Sequence, residues 1–197
     1  MENIFKKIFR GIKEAGKNEF RPFDWNFENG VVLRGRMVDS RLEIQFVKNN
    51  EVLFDLNSLL PPNTTSRFDP QGKWEFDDRD QEKLQVVFGN FGAMEDLLYF
   101  IHEAGHSHDL ETQSQRRKAR KESHAEVLKD KAYAYPLSRL IALREYWNLD
   151  HKVERFAWDF VAKIVAELEE TMGINIQGKL ARSQNIEEFA SKILKNN

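Results

Sequence analysis

The five residues His102-Glu103-Ala104-Gly105-His106 constrain this chain more than any other stretch of it. They close a segment, Ala93 to His106, whose patterning predicts a helix, and on a helix residues four apart share one face. Two imidazoles on one face can reach the same metal ion, and Glu103 can reach a water on that ion. With only five His in 197 residues, a chance occurrence of this pattern is rare. Leu97, Leu98, Phe100 and Ile101 precede the motif, so the helix is expected to be buried before it reaches the metal. The competing reading is a surface helix carrying two solvated His and a capping Glu.

Composition narrows the rest. At 197 residues, with 41% hydrophobic and 31% charged content, one soluble globular domain is expected. A net charge of −2 gives no reason to expect a nucleic-acid partner. The absence of cysteine excludes disulfides and Cys-ligated zinc. No run of 18 apolar residues is present, so no spanning helix is expected and the cytoplasm is the default location.

Residues 1–18 are read as a basic amphipathic helix and residues 19–197 as the single domain. Ile4, Phe5, Ile8, Phe9 and Ile12 fall at helical spacing among Lys6, Lys7, Arg10, Lys13 and Lys17, without the continuous apolar run of a secretory signal. Such a helix either makes peripheral contact with an anionic membrane surface or packs on the domain with its lysines solvated.

The domain is expected to be α+β. Period-two alternation over Val31 to Val38, Leu42 to Phe46 and Val52 to Leu56 predicts a three-stranded meander, with tight turns at Asp39-Ser40 and Asn49-Asn50. Pro61 to Gln81 reads as a long polar loop in which Trp74 and Phe76 could form a short strand, and Lys83 to Phe88 as a further, edge strand. This small antiparallel-rich sheet would pack on the motif helix and on a helical C-terminal part. The basic run Gln113 to Lys121 reads as a solvated loop within a longer loop, Ser107 to Lys131. Helices are expected over Pro136 to Trp147, Asp150 to Met172 (stopped by Gly173) and Ile186 to Leu194.

Two His do not complete a catalytic zinc site, which takes three protein ligands. A third His shortly after His106 is missing, because Asp109 and Thr112 stand at those places. A carboxylate from a later helix is the alternative. Glu154 is preferred over Glu122, Glu126, Glu145, Glu167 and Glu169 because an apolar stretch surrounds it. Ala157, one turn on, and Gly105 would let the two helices approach closely. His108 is not expected as a ligand.

His102-Glu103-Ala104-Gly105-His106 followed by Glu154-x-x-Ala157-x-x-Phe160 resembles the gluzincin pattern, and is similar to that of the compact ImmA/IrrE-type metallopeptidases. The resemblance spans roughly 97–165. Trp158 stands where the thermolysin-like pattern has an Asp, and Asp159 lies one step off, about 100° around the helix. The resemblance implies a zincin-like fold and a zinc metallopeptidase with Zn2+ on His102, His106 and Glu154. Glu103 would be the general base and acid. It also implies a protein or peptide substrate laid along a sheet edge, here Lys83 to Phe88, by strand addition, and a regulatory protein such as a repressor as the target. A second oxyanion donor would come from His124, Tyr133, Tyr135 or Tyr146. Two other functions stay open: a zinc hydrolase of a non-peptide amide, and a catalytically silent protein-interaction module. Nothing in the sequence bears on oligomeric state.

Overall fold

The computed structural model describes residues 19–39, 41–71, 74–77, 84–129 and 137–180, with Ile186 and Ala190. The N-terminal basic segment and most of the expected 186–194 helix lie outside these. The described chain is mixed α+β, with a four-stranded antiparallel sheet, a three-stranded mixed sheet and three α-helices.

The expected meander is present as β2 (Val32–Val38), β3 (Arg41–Lys48) and β4 (Glu51–Asp55). Asp39, Asn49 and Asn50 take positive φ of 48°, 52° and 65°. Short polar side chains tolerate that left-handed backbone, and the right-handed twist of a tight hairpin requires it. Leu33, Ile44 and Phe46 alternate inward and are fully buried. An additional strand, β1 (Phe23–Asn26), pairs with β2 and sets Phe23 opposite Gly35, where the missing side chain leaves room for the ring. Four residues are too short for alternation to announce a strand.

The second sheet corrects two expectations. Thr64–Phe68, inside the stretch read as loop, is a strand (β5); Glu75–Asp77 (β6) confirms the short strand; Leu84–Phe88 is β7. Their order is β5-β7-β6, so β7 is the central strand and not an edge. β5 pairs with it in parallel and β6 antiparallel. The near-continuous apolar run of β7, with Leu84, Val86, Val87 and Phe88 all buried, suits a strand covered on both faces. The polar Thr-Thr-Ser-Arg of β5 hid it.

The first helix, α1, spans Met94–His106. Asp96 turns back to accept the N–H groups of Gly92 and Ala93 at 2.7 and 2.9 Å, which satisfies donors that the helix start leaves open. Leu97, Leu98, Phe100, Ile101 and Ala104 are fully buried, as expected. The chain then corrects the loop expected over Ser107 to Lys131: a 20-residue helix, α2, runs over Leu110–Lys129. It carries no apolar stripe, and periodicity could not reveal it. The last helix, α3, is one continuous element of 36 residues, Leu137–Met172, where two helices were expected. It ends at Gly173, with φ 61° and its N–H bonded to the Glu169 carbonyl. No helix among the described residues is long and apolar enough to cross a membrane.

Candidate metal centre

The stripe Val153, Ala157, Val161, Val165 on α3 is fully buried and packs this helix along α1. Gly105 and Ala157 meet at the crossing. A Cβ on Gly105 would come within 3.2 Å of the Ala157 Cα and of Phe160. That closeness presents Glu154, next to Val153 on the rim of the stripe, to the two imidazoles of α1.

His102, His106 and Glu154 converge, with one ligand atom from each lying within 4.8 Å of the others. The two Nε2 atoms are 3.0 Å apart. Glu154 Oε2 lies 3.2 Å from His102 Nε2, and Oε1 lies 3.6 Å from His106 Nε2. Ligands at about 2.0–2.1 Å from one tetrahedral ion stand about 3.3 Å apart, and the three separations bracket that value. Two neutral imidazole nitrogens and a carboxylate are also a coherent donor set for a divalent cation. These three residues could hold a metal ion.

Each imidazole is oriented differently. The Gln113 side chain lies 3.1 Å from His106 Nδ1, and its amide can serve either tautomer by presenting oxygen or nitrogen. His102 Nδ1 is buried without a hydrogen-bond partner among the described residues. Trp158 packs against the His102 ring instead, at 4.5 Å between centroids and an interplanar tilt of 41°. His108 lies apart from the cluster, bonded through Nε2 to the Leu59 carbonyl at 2.6 Å and stacked on Phe160.

Glu103 faces the same cleft, a space of about 200 Å³ bordered by Trp74, Phe76 and Arg116. Burial pushes its carboxyl up to about 7; His102 opposes this, Glu154 adds to it, and the backbone N–H of Phe76 donates to the carboxylate. Burial, helped by His102 and Arg116, pulls His106 down to about 3, against Glu154. A neutral ring is the form that binds metal. For Glu154 burial acts upward, but the hydrogen bond to His102 and electrostatic interaction with the two imidazoles and Arg116 outweigh it and hold the carboxyl below its usual range.

The structure thus brings together all four residues expected at the site. The side chains of His124, Tyr133, Tyr135 and Tyr146 lie outside the described residues. Gln113 and Arg116 were missed, both on α2. Their spacing of three, after a turn that Asp109 caps by accepting the Thr112 N–H at 3.3 Å, was the available signal. Comparison of the chain with protein-family models, with curated proteins and with solved structures returns no match.

Proposed function

We propose that this chain is a zinc-dependent metallopeptidase acting on peptide or protein substrates, similar in its site to the ImmA/IrrE-type enzymes. One observation carries the reading: His102, His106 and Glu154 converge from two helices on one point, and Glu103 faces the same cleft. A His₂Glu set without thiolate is one that catalytic zinc uses. Bound there, zinc would supply a Lewis acid and bring the pKa of water toward about 7.

The remaining work falls to side chains of this protein. Glu103 would take the proton from the attacking water and return it to the leaving amine. The Phe76 N–H on Glu103 sets that acid against β6, the outer strand of the second sheet on this side. Because β7 is central, a peptide adding to that sheet would pair with an outer strand, in place of the β7 edge expected from the sequence. Cytoplasmic location and a repressor-like target remain part of the same proposal.

Metal analysis with turnover tests it. The wild type should hold about one zinc per chain and Glu154→Ala much less. Glu103→Gln should retain zinc and lose about 100- to 10,000-fold in turnover of internally quenched peptides. Equal zinc in Glu154→Ala, or wild-type cleavage by Glu103→Gln, would refute the roles assigned. Cleavage of small amides but of no peptide would favour the non-peptide hydrolase.

A further inference from the structure

We propose that Arg116 is a catalytic residue whose guanidinium, pinned by Asp150, donates to the carbonyl oxygen of the scissile bond as that oxygen gains charge. This rests on the metallopeptidase reading. Arg116 is the one permanent cation among the described residues bordering the cleft, which it shares with Glu103 and Glu154. Its Nη2 pairs with Asp150 Oδ1, and the two side chains are 28% and 18% exposed. Asp150 and Glu154 are one turn apart on α3, and Gln113 and Arg116 one turn apart on α2. The two helices therefore deliver the metal ligand Glu154, the amide that contacts His106 and a paired guanidinium to one place.

Asp150 also decides what Arg116 can do. A bare guanidinium would bind a substrate carboxylate tightly before any reaction. Paired with Asp150 it is close to electroneutral, yet its guanidinium still carries N–H donors for a substrate oxygen. Such a group gains little from a ground-state anion and much from an oxygen that becomes negative during the reaction.

The water oxygen bonds to the carbonyl carbon while its proton goes to Glu103, and the C=O π pair moves onto the oxygen facing Arg116. That pair then re-forms the carbonyl, the C–N bond breaks, and the proton on Glu103 goes to the nitrogen. A carboxylic acid and an amine result.

The test compares wild type, Arg116→Ala and Arg116→Lys, the last keeping the charge and the fold where truncation does not. On the best-cleaved quenched peptide, kcat should fall about 100- to 1,000-fold. KM should stay within about threefold. Affinity for a phosphonamidate peptide, which mimics the charged oxygen, should fall in parallel with kcat, while zinc content stays at the wild-type level. An unchanged kcat, or a rise in KM alone, would overturn the proposal and leave Arg116 a staple between α2 and α3. A wild type that holds zinc and cleaves no peptide would instead refute the metallopeptidase reading itself, and this proposal with it.

Discussion

Gly105→Ala probes what the crossing of α1 and α3 does for the cluster. The added Cβ would sit 3.2 Å from the Ala157 Cα and from Phe160 Cβ and Cδ1. Carbon atoms in contact prefer about 3.5 Å or more, so one or both helices must give by about 0.3 Å. Backbone on one side and a packed ring on the other leave little room to yield. Overpacking of this kind costs about 1–3 kcal/mol, offset by about 1 kcal/mol from replacing a helical glycine, for a net loss near 1 kcal/mol. The larger effect is on the site. Metal–ligand distances tolerate only about 0.2 Å, so moving Glu154 by 0.3 Å from His102 and His106 should lower zinc affinity by about 10- to 100-fold. Competition against a chromophoric chelator measures the affinity, and urea unfolding of the metal-free protein measures the stability. A variant that binds zinc as tightly as wild type, or gains stability by the full helix-propensity increment, would show that the approach at Gly105 does not set the site.

Gln113→Leu should cost about 10-fold or more in zinc affinity, read by the same competition, because His106 loses the group that fixes its ring; an unchanged affinity would leave Gln113 as packing only. The pH dependence of metal-free stability should show two opposing slopes. His106, folded value about 3, binds its proton in the unfolded chain first, so its contribution rises with pH between about 3 and about 6.5. Glu103, folded value about 7, holds a proton that the unfolded chain releases near 4.5, so its contribution falls with pH between about 4.5 and about 7. In wild type the two largely cancel from about pH 4.5 to 6.5; below that, His106 and the depressed Glu154 both make acid destabilising. Glu103→Gln removes one arm, and urea unfolding at pH 5 and 6 should then show stability rising with pH, by up to about 1.4 kcal/mol per unit. A flat response in that variant would contradict the assignment.

The parts of the fold that were legible share one property: their partners lie on the same short stretch of chain. The meander and the motif helix are periodic, and their turns are marked by Asp39 and Asn49-Asn50. Glu154 was legible because its apolar surroundings set it apart from the other acids. What escaped depends on distant pairing. β5 is a strand because β7 offers it a parallel edge, and β7 is central because two segments of polar sequence flank it. α2 escaped for a different reason. It meets the rest of the chain through side chains such as Thr112, Gln113 and Arg116, and buried polar groups leave no apolar signature even where they line a site. The long uninterrupted α3 shows the reverse error: Asn148 and Asp150 look like a break in sequence, yet the helix runs through both.

The position of Glu154 relative to His106 has a mechanical consequence. The ligands come from α1 and α3, and the whole of α2 lies between them in sequence. An ion gripped on both sides closes a loop of about 50 residues, which in the chain-entropy description of a cross-link restricts the unfolded state by about 4 kcal/mol. The chain has no cysteine with which to form a covalent equivalent. A metal cross-link would instead be a reversible one, set by free metal concentration and released by a chelator.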